Sequence, residues 1–364
     1  MRMSITTRVL RLRDPLATSY GAVSERELFT VALSDGDGPT GYGEAAPLEP
    51  YDGVSPRRVR EALESYRPVL MQSEGSTGMQ LLDACRRVCD EPVALAAVDL
   101  ALWDRVGRRA GRPLAALLTD TPAAAVAVNA TLSATDRAGA AAQAAEAVQR
   151  GYECVKVKVG LGDDHGRLAA VRAAAGPRVA LRIDANGAWD VEQAVRAIDA
   201  LAPAGLELVE EPTHGLEAMR AVRERVAVRV AIDETAAEHG ALGAGVADAV
   251  CLKISRCGGI AGLLAAATLV RASGAEVYLA STLDGPLGIA AAVHAAAALA
   301  SRGPLPACGL ATLALFEDVE DVLPVRDGRI AVPEGAGLGV EHRRISQADD
   351  APHLLIATPT PPHL

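Results

Sequence analysis

Five short apolar runs in the middle of the chain each end on charged residues: Lys156 and Lys158 in CVKVKVG, Asp184 in LRIDANGAW, Glu210 in LELVEEP, Asp233 in VRVAIDE and Lys253 in AVCLKIS. They recur at intervals of about 20 to 26 residues, the length of one strand–helix unit. Three carboxylates brought to one rim cannot all stay ionised unaided, and a hard divalent cation resolves the conflict. All-oxygen ligation selects Mg²⁺, or Mn²⁺. A lysine beside such a cation has its pKa lowered and becomes a usable base, so Lys158 before the carboxylates and Lys253 after them, with Lys156 nearby, are candidate catalytic groups. A metal with bases on opposed faces suits removal of a proton α to a carboxylate, through an enediolate that the cation stabilises. Singly, each residue has a plainer reading: a Lys-x-Lys pair as an exposed strand edge, an Asp-Glu pair as a helix cap. Their joint placement at consecutive strand ends argues against accident, because unpaired buried charge is costly.

The elements that must carry these groups can be read from the pattern after Pro122, where apolar strands alternate with Ala-rich helices such as VEQAVRAIDALAPAG. Eight β-units, most followed by a helix, predict an α/β fold, a (β/α)8 barrel, with the charged residues at the C-terminal strand ends where barrel active sites lie. Before it, two β-type runs, amphipathic helices from Ser55 and the apolar helix EPVALAAVDLALWDRVGRRAG form an α+β region. The expected divisions are 1–122 (α+β), 123–318 (barrel), 319–348 (a return to the first region) and 349–364 (a loose tail).

With 364 residues, 50% of them hydrophobic, the chain can bury a large core, which excludes disorder as its main state. The net charge of −10 argues against a nucleic-acid surface. No apolar stretch approaches the length of a membrane span, and the start has no uninterrupted apolar region of a secretory signal. Cysteines 85, 89, 154, 251, 257 and 308 form no CxxC pair, so reduced thiols in a soluble cytoplasmic protein are expected, with Cys85 and Cys89 packed one helical turn apart. His294, in an Ala-rich helix, reads as a packed core residue, and His165 and His214 as loop residues near the mouth. Exposed Ala-rich helix faces would suggest a homo-oligomer.

Taken together, KVKVG, DANGAW, VEEP, IDET and LKISRCGGI resemble the muconate lactonizing enzyme subgroup of the enolase superfamily, over nearly the whole chain. The resemblance implies a modified TIM barrel of (β/α)7β type and an α+β capping domain, formed before and after the barrel, that closes over a small carboxylate substrate. It implies Asp184, Glu210 and Asp233 as ligands of Mg²⁺, Lys158 and Lys253 as acid/base residues on opposite faces, and Asn186 and Glu234 as polar groups just behind the ligands. Two mobile loops, Pro15–Gly21 and Pro47–Gly53, would offer Tyr20, Glu49 and Tyr51 to substrate; Ser281, Asp284 and Gly309 would do so from the last strand ends. Members of the subgroup share the enediolate step and differ in the fate of that intermediate. Gly309 and Ala311 stand where dipeptide epimerases typically carry Asp-x-Asp, which weakens that reading. The PACGLAT segment looks more like o-succinylbenzoate synthases, whereas Asp284 before Gly is closer to muconate cycloisomerases. Dehydration of the o-succinylbenzoate type, or the related N-acylamino acid racemisation, is the expectation; cycloisomerisation, dipeptide epimerisation and a non-catalytic binding barrel are the alternatives. Arg256 stands where many relatives have lysine, and the helix between Asp233 and Lys253 is expected to be unusually short.

Overall fold

A computed structural model describes residues 1–340 except Ser19, Tyr20, Asp37, Ser73, Leu161 and Asp318. Tyr20 and the tail expected from residue 349 therefore lie outside the described residues.

The chain opens with a three-stranded antiparallel sheet, β1 (Arg2–Thr18), β2 (Gly21–Ser34) and β3 (Gly41–Ala45). Its register shifts between Arg11 and Leu16, and β1 runs as far as Thr18, into the first segment expected as a mobile loop. The second such segment is largely a single helical turn, α1 (Glu49–Asp52), closed by Gly53 in the left-handed conformation. Pro15 and Pro47 suggest loops by composition, but strand pairing in one case and the Gly53 cap in the other give these segments regular structure. Four further helices come next: α2 (Pro56–Met71), α3 (Gly78–Val88), α4 (Pro92–Ala110) and α5 (Leu114–Leu118). Helix α4 is apolar on nearly every side and is buried as such a helix must be, yet it also buries Asp99, Asp104 and Arg105.

The barrel run AVAVNATL divides at Asn129 into β4 (Ala125–Ala127) and β5 (Ala130–Leu132). Then come α6 (Arg137–Gln149), β6 (Cys154–Lys158), α7 (Asp164–Ala175), β7 (Ala180–Asp184), α8 (Val191–Leu201), β8 (Leu206–Glu210), α9 (Leu216–Arg223), β9 (Val230–Ile232), β10 (Ala249–Leu252), α10 (Ile260–Ala272), β11 (Glu276–Leu279) and α11 (Pro286–Ala300). Strands β5 to β11 form one curled parallel sheet in sequence order. The expected eighth strand, PACGLAT, makes only single bridges, Cys308 to Val128 and Gly309 to Ala280, which close the seam. Between Asp233 and Lys253 there is no α-helix, only two 3-10 turns, Glu234–Ala237 and Ala241–Gly243. The last strands, β12 (Val325–Arg326) and β13 (Arg329–Ala331), pair antiparallel with β4. Beyond them the chain returns to α4, where Leu338 N donates to Asp104 Oδ1 at 2.8 Å.

Helix α11 is buried from Pro286 to Leu299, so its Ala-rich face packs inside this chain. The expectation of a homo-oligomer loses that part of its basis. His294 sits fully buried within it. Its Nδ1 accepts from Ala115 N at 3.1 Å and its Nε2 faces Leu338 O at 3.2 Å, which assigns the neutral Nε2–H tautomer. Burial pushes its pKa down to about 4. A depressed folded-state value means that His294 contributes stability above the ordinary imidazole range and loses it as pH falls through about 4. The melting temperature should therefore fall between pH 6.5 and 4. His294→Gln is expected to flatten that limb of a calorimetric pH series; an unchanged slope would show that His294 is not its source. All six cysteines are free, as expected.

Candidate active site

Parallel register sets the first row of the site. Lys158 of β6 lies beside Asp184 of β7, and Asp184 beside Glu210 of β8. Ala231 of β9 pairs with Glu210, so Asp233 stands two residues further out, and Lys253 comes directly after the end of β10. Period-two alternation points all six charged side chains inward.

Inside the mouth the charges interlock. Lys156 Nζ bridges Asp184 Oδ2 (2.8 Å) and Glu210 Oε1 (2.7 Å), so those two oxygens are neighbours across one ammonium. Lys158 Nζ reaches Asp184 Oδ2 at 2.7 Å and Asn186 Oδ1 at 2.5 Å. On the other flank, Lys253 Nζ donates to both Asp233 oxygens, at 2.7 and 2.5 Å. Asp184 and Glu210 are each only 1% exposed, so screening by water is slight. Burial alone would raise the Asp184 pKa, but Lys156 and Lys158 hold it well below the carboxylate range. Asp233 is lowered against its own burial by Lys253 and Lys156. Glu210 is raised: burial, joined by the nearby charges of Asp184 and Asp233, prevails over Lys156 and Lys253.

The lysines differ from expectation. Burial would depress Lys253, but Asp233 overrides it and holds the ammonium well above its ordinary value. Lys156 is likewise raised, by Asp184 and Glu210 against burial. Depression of a lysine here requires a cation bound by the carboxylates, which in this arrangement are neutralised by the lysines themselves. With both of its neighbours engaged, Lys156 stands as the counter-ion beneath the carboxylates rather than as a free base.

The donor set fits a hard divalent cation. Glu210, Asp233 and the Cys251 thiol present ligand atoms within 4.8 Å of one another. Burial, with Asp233 and Glu210 close by, keeps the Cys251 thiol protonated, and a protonated sulfur is a poor ligand for a hard ion. Asp184, tied to Glu210 through Lys156, would offer the better third oxygen.

Several groups support the carboxylates from behind, Asn186 and Glu234 among them as expected from the resemblance. Asn186, in a left-handed backbone conformation (φ 44°), donates its side-chain amide to Glu234 Oε1 at 2.9 Å while accepting from Lys158. Burial, then Asp233 and Asp184, raises Glu234 to about 7. Glu211, fully buried, accepts from Asp233 N (2.7 Å) and Thr235 N (2.9 Å), and its Oε1 faces His214 Nδ1 at 3.0 Å. It thus fixes the backbone from which Asp233 projects; the doubled glutamate of VEEP is the only hint. Below, Tyr278 OH donates to Glu210 Oε2 at 2.8 Å, and Arg182 stacks on that ring while pairing with Glu207.

A cavity of about 140 Å³ opens over these groups, lined by both lysines, Lys156, Asp184, Asn186, Asp233, Tyr51, Ser281, Gly309 and a rim including Leu16, Leu48 and Leu315. Tyr51 reaches in from α1: its OH donates to Asp233 Oδ1 at 2.8 Å, and Lys253 Nζ lies 4.0 Å from its ring centre. Ser281 Oγ pairs with Thr312 Oγ1 at 2.9 Å. Asp284, expected at the substrate, is instead buried with its carboxylate on Thr282 N and Oγ1, both at 3.0 Å, and it does not line the cavity. Backbone geometry explains this: the segment turns sharply at Leu283 (φ 59°), which carries Asp284 inward. Glu49 and His165 do not line the cavity either.

A family profile described as enolase C-terminal domain-like matches residues 139–346, and one for the mandelate racemase / muconate lactonizing enzyme N-terminal domain matches residues 1–119. The chain is 32% identical to muconate cycloisomerase 1 of Rhodococcus opacus, over 93% of this chain and 95% of that protein. It is 29% identical to a hydrophobic dipeptide epimerase of Enterococcus faecalis, over 92% and 97%. The crystal structure of a dipeptide epimerase from Enterococcus faecalis, complexed with Mg and the dipeptide L-Leu-L-Tyr, superposes with a TM-score of 0.84 at 27% identity, over 94% of this chain and 99% of that one. That of an N-succinyl Arg/Lys racemase from Bacillus cereus gives 0.83 at 25%, over 95% and 97%.

Proposed function

The chain belongs to the mandelate racemase / muconate lactonizing enzyme family, and from that premise we propose that it removes the proton α to the carboxylate of a small substrate, using Lys158 and Lys253 on opposite faces. The observation that supports this most directly is the strand order: Asp184, Glu210 and Asp233 stand between the two lysines, each of which touches one end of the trio. Asp184, Glu210 and Asp233 would hold Mg²⁺ or Mn²⁺, which when bound supplies a Lewis acid for the substrate carboxylate and for charge developing on it.

The protein's own groups do the rest. One lysine, as the free amine, takes the α-proton; the electron pair left behind delocalises into the carboxylate; the other lysine, as the ammonium, returns a proton to the opposite face. Asn186 orients Lys158 through its 2.5 Å bond, and the ring and hydroxyl of Tyr51 orient Lys253. The rim at Gly309, Ser281, Thr312 and the surrounding leucines carries no charge, so the remainder of the substrate is neutral. That favours an N-acylamino acid, racemised, over a dipeptide, whose ammonium would lack a partner there, and over the precursor of an o-succinylbenzoate-type dehydration, whose succinyl tail carries a second carboxylate. Cycloisomerisation of a muconate is the second reading, favoured by the 32% identity to an enzyme of that name.

The test is solvent deuterium exchange at the α-carbon with Mg²⁺, across N-acylamino acids, dipeptides, cis,cis-muconate and the hydroxycyclohexadiene precursor of o-succinylbenzoate. Metal-dependent exchange with at least one N-acylamino acid is expected. Turnover of muconate alone would favour the second reading, and no exchange or turnover on any of them would leave a non-catalytic binding barrel.

A further inference from the structure

Helices α10 and α11 start soon after the Lys253 and Ser281–Asp284 strand ends, yet neither caps itself. Their N-cap residues are Gly259 and Gly285, which have no side chain to accept from the first-turn amides. The acceptors come from the other region of the chain. Asp99 of α4, 4% exposed, takes Ile260 N at 2.6 Å and Ala261 N at 3.3 Å on one oxygen. Glu44 of β3 takes Gly285 N at 2.7 Å. Glycine is what lets each carboxylate approach: a Cβ on Gly259 would come within 2.7 Å of Asp99 Cγ, and one on Gly285 within 3.0 Å of Glu44 Cδ.

From the first of these caps a continuous chain of bonds leads to the reacting groups. Gly259 N donates to Ile254 O at 2.9 Å, and Cys257 N to Lys253 O at 3.0 Å, so the turn between Lys253 and α10 is one braced loop whose far end is Asp99. The same loop presents Arg256 to the Tyr51 ring at 5.0 Å, the ring that also faces Lys253.

We propose that Asp99 and Glu44 are positioning residues, which cap α10 and α11 across the interface and so set Lys253 and the Ser281–Asp284 rim in register with the α1 turn. Burial raises Asp99 to about 7 and, with Asp284, Glu44 to about 8, so an uncharged acceptor of the same shape serves nearly as well. The inference rests on the reading that Lys253 is the base of one substrate face, and its test separates the two.

Exchange of each enantiomer of an N-acylamino acid is followed in D₂O with Mg²⁺, and Lys253→Ala identifies the enantiomer served by Lys253. Asp99→Ala is expected to lower kcat for that enantiomer at least tenfold, with KM and the rate of the other enantiomer within about twofold. Asp99→Asn should restore the rate, and Gly259→Ala, which crowds the same carboxylate, should reproduce the loss. Glu44→Ala should raise KM for both enantiomers with kcat little changed, and Glu44→Gln should not. Equal loss on both faces with a lowered melting temperature would reduce Asp99 to a structural role and overturn the inference, as would no loss at all. Should the wild type exchange neither enantiomer, the reading of the site fails instead. The inference is then decided by nitrogen-labelled lysine NMR, in which Asp99→Ala must shift the Lys253 resonance and leave Lys158 unmoved; an unshifted Lys253 overturns it.

Discussion

Lys253→Ala is expected to lower turnover by about 10²- to 10⁴-fold, the usual worth of a positioned acid/base group. The loss should fall on kcat and kcat/KM together, because the lysine moves the proton at the α-carbon and does not hold the anchored carboxylate. Lys158→Ala should do the same from the opposite face. Each single variant should abolish conversion between enantiomers, while the lysine left in place still exchanges the α-hydrogen of its own enantiomer. That split is the signature of two opposed bases. The stability of these variants also informs. Lys253 neutralises Asp233, whose carboxylate is 5% exposed, so its removal leaves a buried charge with only the Tyr51 hydroxyl and more distant Lys156 to offset it. Breaking such a pair costs about 3–5 kcal/mol, an expense that a bound cation would largely offset. Lys253→Ala should therefore melt early without Mg²⁺ and recover with it. Near-wild-type turnover in either lysine variant would remove that residue from the mechanism.

The second large effect concerns the carboxylates. A ligand present at a hundredfold excess over its Kd stabilises the folded state by about 2.7 kcal/mol, so the wild type should show a thermal shift that depends on Mg²⁺ concentration. Asp233→Asn and Glu210→Gln are each expected to abolish that shift and, with it, turnover. Glu211→Gln serves as the contrast. Glu211 touches Asp233 only through its backbone amide, so the glutamine, whose carbonyl oxygen still accepts, should retain a weakened shift. A full Mg²⁺ shift in Asp233→Asn would show that the cation binds elsewhere. No shift in the wild type would remove the metal from the site altogether.

How much of this was legible beforehand depends on the kind of residue. Lys158, Asp184, Glu210, Asp233 and Lys253 could be found because each ends an apolar run, and parallel strands of nearly equal length must bring such ends to one rim. Lys156 is legible for the same reason, but only as an inward lysine: its depth below the rim, where it bridges two carboxylates, depends on register between three strands. Asp284 shows the converse. It lies just past a strand, but a left-handed residue beside it turns the side chain away.

Asp99 and Glu44 were not legible at all, and Glu211 only through the doubled glutamate of VEEP. Asp99 looks like a single polar interruption in a buried apolar helix, and the amides that donate to it lie about 160 residues further along the chain. No local pattern can announce a partner so distant.

What the amino-acid order determined by itself was therefore the alternation of strand and helix, the membership of the charged rim and the family to which the chain belongs, since all three depend on period and residue type over a few positions. Only the tertiary structure decided which lysine is counter-ion and which two flank the carboxylates, that the crossover after β9 is reduced to 3-10 turns, and that two helices of the barrel are capped from outside it. Those outcomes depend on depth, register and contact between distant segments. A buried charge or an orphaned amide takes the partner that packing brings to it, wherever in the chain that partner lies.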